Sequence, residues 1–162
     1  MYNENMLSIH KKDLIVPVGM VCLEFFDVIT KKYERILTKN LVTTAGKAAM
    51  ADHLRGTTSS NKGIITYCAL GTDATAPELT DTVLGTELGR KLISVRSVAL
   101  NVATFQTFFT ISEVNGTLRE AGLFGDDASA TVDTGTLYCH TAINRTKTSS
   151  QTLTLSWAVT IG

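Results

Sequence analysis

The chain has 162 residues, and its 15 basic and 15 acidic side chains balance to a formal charge of zero. That length suits one domain with an ordinary core. It offers no basic surplus for a phosphate backbone and no apolar run near the roughly 20 residues that span a bilayer. Neither nucleic acid nor a membrane is therefore an expected partner. Charges at Glu4, Lys11, Lys12 and Asp13 argue against a secretory leader. The paired lysines Lys11-Lys12 and Lys31-Lys32 read as a solvated terminus and turn.

Residues 1–13 are polar and aperiodic, and residues 1–19 are assigned as an N-terminal arm or extension that could order on a neighbour. Residues 20–162 are expected to form a single domain. Val21 to Ile29 reads as a strand with Val21, Leu23, Phe25 and Ile29 on one face. Tyr33 to Val42 reads as its hairpin partner. The stretch Thr43 to Gly56 predicts a helix at about 44–55. A threonine supplies the N-cap, Met50 and Leu54 share a face, and Gly56 ends it in the left-handed conformation.

Ile64 to Leu70 is a short apolar strand. Residues 71–89 form a long loop holding Pro77, a length that implies packing or function. Leu92 to Leu100 and Val102 to Ile111 read as strands. Phe105, Phe109 and Ile111 lie on one face of the second, with Phe108 on the other. Asn115-Gly116 is a two-residue type I′ hairpin signal, after which Leu118 to Phe124 returns. Leu137 to Ile143 follows a polar loop. In the last strand Leu153, Leu155, Trp157, Val159 and Ile161 alternate with polar or small residues, the pattern of one dry face and one wet face. The 25 threonines suit half-exposed pleated surfaces. About eight strands and one short helix imply an all-β fold, a mainly antiparallel sandwich or jelly-roll-like domain.

Chemistry-bearing residues are sparse. Cys22, Cys68 and Cys139 are widely spaced and odd in number, so they read as reduced, buried thiols. Cys139 and His140 are neighbours on a strand and point to opposite faces, while His10 and His53 lie elsewhere. Asp73, Asp81, Asp126, Asp127 and Asp133 lie in two loops without a calcium-loop spacing. Asn115-Gly116-Thr117 and Asn144-Arg145-Thr146 match glycosylation acceptors only as short patterns. No catalytic, cofactor or metal residue is assigned, and no cofactor is expected. Glu120 reads as a structural carboxylate that accepts backbone N–H groups or pairs with a cation. Arg90 or Arg96 is the expected partner, since Arg119 would face the opposite side of the strand.

Three stretches occur in order: Asn40-Leu41-Val42-Thr43-Thr44-Ala45-Gly46-Lys47; then Gly71-Thr72 with Ala74, Ala76-Pro77, Asp81, Leu84, Glu87-Leu88 and Arg90; then Glu120-Ala121-Gly122-Leu123-Phe124. Together they resemble small β-rich virion proteins of tailed bacteriophages, over residues 40–162. That family includes capsid decoration (cement) proteins and tail, baseplate or fibre-attachment components. The resemblance implies a virion subunit assembled in the bacterial cytoplasm. It also implies a homo-oligomer, a trimer, contacting the major capsid protein or tail and baseplate proteins. Glu120 to Phe124, Arg90, Asn115 and Gly116 are the structural motif residues. The expected function is capsid decoration, with a tail, baseplate or fibre adaptor as the alternative. A carbohydrate-binding module ranks below these because the aromatics lie within strands. An enzyme ranks last because no paired carboxylates stand out.

Overall fold

The computed structural model describes residues 17–56 and 63–161. Its elements in chain order are β1 (Val18–Asp27), β2 (Tyr33–Val42), α1 (Thr44–Leu54), β3 (Ile65–Gly71), β4 (Glu87–Leu92), β5 (Val95–Ala99), β6 (Val102–Phe109), β7 (Gly116–Gly125), β8 (Thr136–Lys147) and β9 (Gln151–Thr160). The fold is all-β with one short helix, as expected, and every strand pairing is antiparallel. Most of the assigned arm falls at positions 1–16, outside the described residues, and β1 already begins at Val18.

The nine strands form one sheet in the order β4-β3-β7-β8-β2-β1-β9-β6-β5, curled so that its two halves face each other. The bend is at β2. Most of that strand pairs with β1, and its last two residues, Leu41 and Val42, pair with His140 and Cys139 of β8. At the opposite side the chain passes from β4 to β5 through Ile93-Ser94. The Ile93 N–H extends the β3 ladder by donating to Thr66 O, and the Ser94 N–H donates to Gln106 O on β6. The expected strand from Leu92 to Leu100 is β5 over Val95–Ala99, with Leu92 itself the last residue of β4 in the other layer, and only Glu87 to Gly89 of the expected 71–89 loop belong to β4. Glu87-Leu-Gly-Arg-Lys-Leu lacks period-2 alternation because it buries an ion pair where a strand ordinarily buries apolar residues.

The core fills the space between the layers. Val21, Leu23 and Phe25 of β1 meet Leu153, Leu155 and Trp157 of β9, and across from them lie Cys68 and Leu70 of β3, Ala121 and Leu123 of β7, and Cys139 of β8. Each fully buried large apolar side chain contributes about 1.5–3 kcal/mol. Ile29 does not continue the β1 face. Asp27 Oδ1 accepts the N–H groups of Ile29 and Thr30, which turns the chain and leaves Ile29 exposed.

Helix α1 is capped as expected. The Thr43 hydroxyl oxygen accepts the Gly46 N–H at 2.9 Å, and Gly56 has a φ of +77° beyond the C-terminus. Its packing face differs from the expected Met50/Leu54 pair. Gly46 and Ala49 are buried, and Leu54 is 87 % exposed. Small residues face the sheet because the helix lies close to β8: a Cβ on Gly46 would stand 2.5 Å from Tyr138 O.

Asn115-Gly116 is not a hairpin. β6 pairs with β5 and β9, and β7 pairs with β3 and β8, so the segment between them crosses from one layer to the other. Gly116 does have a positive φ, but the other left-handed residue is Val114, at φ +48°, and not Asn115. Asn115 is drawn into side-chain bonding: its amide donates to Ile111 O, and its oxygen accepts from Lys147 Nζ at 2.8 Å. The same ammonium donates to Thr110 O and Glu113 O, so a buried lysine satisfies the carbonyls of the crossover.

Candidate functional site

The face of β7 that points away from the core carries the chain's least expected chemistry. A register shift between Leu118 and Glu120 moves the strand by one side-chain position. Leu118, Ala121 and Leu123 thereby point into the core, and Glu120 and Phe124 point outward. Outward here is not toward water, because the 72–86 and 126–135 loops fold over this face. The whole motif Glu120-Ala121-Gly122-Leu123-Phe124 is buried.

Glu120 is the centre of the arrangement. Its carboxylate accepts the backbone N–H groups of Gly85 at 2.9 Å, Thr86 at 2.9 Å and Asp73 at 3.2 Å. Its Oε2 lies 3.1 Å from Nε2 of His140. The other ring nitrogen of His140, Nδ1, lies 2.7 Å from Asp81 Oδ2, and that carboxylate also accepts the Glu78 N–H. The result is a chain, Asp81–His140–Glu120, that ties three points of the 72–86 loop to β7 and β8. Of the two arrangements expected for Glu120, acceptance of backbone N–H groups is the one found, and its side-chain partner is His140 rather than Arg90 or Arg96. Arg96 donates instead to Ile65 O.

Glycines permit the close approach. A Cβ at Gly71 would lie 2.4 Å from Glu120 Oε1, and one at Gly85 would lie 2.1 Å from Asp73 Oδ2. A Cβ at Gly122 would press on Leu137 and on Leu84, the residue by which the loop seals itself onto Phe124 and Ala69.

Arg90 is a second tie. It forms a two-pronged pair with Glu87, both bonds at 2.6 Å and both side chains 1 % exposed. Its guanidinium stacks 4.4 Å above the Phe124 ring centre and donates to Thr134 O at 2.9 Å. That pins the 126–135 loop. Asp126 holds the other end of the loop, accepting from Tyr138 OH and from the Gly63 N–H, and burial pushes the Tyr138 phenol up from its ordinary range.

The three stretches that carry the family resemblance therefore meet in space. Thr43 and Thr44, at the head of α1, donate backbone N–H groups to Tyr138 O and Leu79 O, which joins the first stretch to the second. Glu120 and Phe124 join the second to the third. Asn115 and Gly116 stand apart from this cluster, at the crossover into β7.

The polar atoms of the arrangement are engaged with one another and with the loop backbone. A carboxylate offers about four acceptor positions, and donors occupy all four on Glu120. His140 has no free nitrogen. The adjoining cleft of about 490 Å³ is lined by Asp73, Glu78, Asp81 and His140. Asp73 there is engaged by the Thr75 N–H and hydroxyl, which hold its carboxyl below the usual range. The three cysteines are buried, and burial pushes the Cys68 and Cys139 thiols up to about 12, far from a reactive thiolate. Among the described residues, no three His, Cys, Asp or Glu side chains converge as metal ligands, and no helix is long and apolar enough to cross a membrane.

Sequence reasoning did not find His140 as a partner of Glu120. The alternation that puts Cys139 in the core does put His140 on the outer face. Linking it to Glu120 requires the β7–β8 register, which two irregularities displace.

A different surface bears on association. The hairpin between β5 and β6 presents Val98, 77 % exposed, and Leu100, fully exposed at φ +54°. A leucine in that conformation is strained by about 1 kcal/mol or more, and the chain holds it there through the turn closed by Ala99 and Val102 and through Asn101, whose side-chain amide donates to Ile161 O and whose carbonyl accepts the Ile161 N–H. β5 is also an edge strand, with Val95 exposed upon it. No family model, curated protein or solved structure matches this chain.

Proposed function

We propose that this protein is a structural subunit of a tailed-phage particle, most concretely a capsid decoration protein that clamps neighbouring capsomers. The observation that carries the assembly part of this reading is the fully exposed Leu100 on an edge hairpin that also exposes Val95 and Val98. Exposed apolar clusters of this kind mark contact surfaces. The buried Asp81–His140–Glu120 chain agrees, because its polar atoms are spent on holding loops. The virion part rests on the resemblance carried by residues 40–162. Repeated weak contacts of a homo-oligomer give such a subunit its avidity.

The test adds purified protein to expanded phage heads and measures binding and heat resistance. Binding at hundreds of copies supports decoration, whereas a few to dozens of copies per particle support a tail or baseplate adaptor. No association with heads or tails refutes both. Leu100→Gly sharpens the test, since it removes the side chain and relieves the strain. The substitution is expected to leave thermal stability equal or higher while weakening association. Undiminished association of that variant would remove Leu100 from the interface.

A further inference from the structure

One end of the sandwich is open. Between α1 and the inner face of β5, β6 and β9 lies an apolar groove of about 350 Å³, lined by Met50, Leu54, Ile64, Phe105, Val159 and Ile161. Leu54, Ile64 and Ile161 are substantially exposed along it, so the core continues to the surface without a cover from the described residues. A groove of this character in a soluble fold calls for an apolar occupant.

The chain itself supplies one at the right place. β1 pairs with β9 so that Val18 stands opposite Thr160 and Gly19 opposite Val159. Pro17 therefore enters the sheet beside Ile161, one strand spacing (about 4.8 Å) from the lip of the groove. Sixteen residues precede it, a reach of up to about 50 Å if extended. Among them are Met6, Leu7, Ile9, Leu14, Ile15 and Val16. The sequence that leads into the groove-lining Gly63, residues 57–62, reads Thr-Thr-Ser-Ser-Asn-Lys and has no large apolar side chain to offer. Charge also matches: Arg96 lines the groove, and Asp13 directly precedes the Leu14-Ile15-Val16 run.

We propose that the apolar groove between α1 and the β5-β6-β9 face is the docking site of the same chain's N-terminal segment, residues 6–16, which closes the open end of its own sandwich. This goes beyond the virion reading and does not depend on it. Reach favours the chain's own segment over a neighbour's, because Pro17 stands one strand spacing from Ile161 at the lip of the groove.

The experiment is a cross-link in the purified full-length protein. Ile9→Cys is combined with Leu54→Cys in a Cys22→Ser background and treated with a short bismaleimide; Cys68 and Cys139 are fully buried. The expected product is an intrachain link, running as a monomer. An interchain dimer would overturn the proposal in favour of exchanged arms, and no link would overturn it outright. A control pairs Ile9→Cys with Ile29→Cys, which is exposed at the far end of β1. Equal yield in the control would likewise refute specific docking. Independently, removing residues 1–16 is expected to lower Tm by about 4 °C or more and to raise the fluorescence of a hydrophobic dye several-fold. A truncated protein with unchanged Tm and dye signal would show the groove was never covered. These results come from isolated protein, so their failure leaves the particle-binding test standing, and the reverse also holds.

Discussion

Replacing Glu120 with alanine removes the acceptor for four donors at once: the N–H groups of Asp73, Gly85 and Thr86, and Nε2 of His140. A buried donor left unpaired costs about 1–3 kcal/mol. The cleft beside the loop admits water to part of this set, so the lower figure applies to each. The sum is about 4 kcal/mol. Some of it is returned because the carboxylate no longer has to be desolvated, leaving about 3 kcal/mol. For a chain of this size that corresponds to a Tm lower by about 6–12 °C. The damage should be local first: urea unfolding reports the global loss, and hydrogen exchange of peptides covering 72–86 should accelerate before the β1 and β9 peptides do. Glu120→Gln keeps the shape but turns an NH2 group toward backbone donors, so it should fall between wild type and alanine. Asp81→Asn, which touches only one end of the chain of bonds, should cost about 1 kcal/mol. If Glu120→Ala unfolds within about 1 kcal/mol of wild type, or protection of 72–86 is unchanged, then Glu120 does not hold the loop and the reasoning fails.

Arg90→Lys keeps the charge but loses the two-pronged bond to Glu87 and the stack on Phe124; a cost of about 2–4 kcal/mol is expected, read by denaturation, with faster proteolysis within 126–135. Lys147→Met keeps the length of the stem but strips the donor from Thr110 O, Glu113 O and the Asn115 oxygen. It should destabilise by about 2 kcal/mol, and an unchanged urea midpoint would show that the crossover does not need the ammonium. Asp27 has its pKa lowered from 3.8 to about 2 by the Thr30 N–H and the Ser150 hydroxyl. A depressed carboxylate stabilises the fold fully above the unfolded value and loses that contribution as pH falls from 3.8 through about 2. The Tm gap between wild type and Asp27→Ala should therefore be constant near neutrality and close across that acid window; a gap independent of pH would contradict the assignment.

Much of the scaffold was legible in the residues. Leu153 to Val159 alternates strictly because β9 lies at the middle of one layer with one face in the core, and Val21, Leu23 and Phe25 do the same beside it. Thr43 and Gly56 bracket the helix because capping is local chemistry. Glu120 was recognisable as a structural carboxylate, but its side-chain partner was not. Local rules also failed at Asn115-Gly116, where a remote lysine claims the asparagine oxygen and the strands on either side belong to different layers.

What the sequence by itself determined is which face of the regular strands turns inward and where the helix is capped: period-2 patterning and cap chemistry act over a few residues and need no knowledge of the rest of the chain. Only the tertiary structure decided what the polar residues do. His140 meets Glu120 and Asp81 because β8 lies beside β7 and a loop from between β3 and β4 folds across both. The same closure sets Glu87 and Arg90 against Phe124. The physical reason is that a buried charge takes whichever partner the packed layers bring within hydrogen-bonding distance, and register shifts of a single residue choose which one that is.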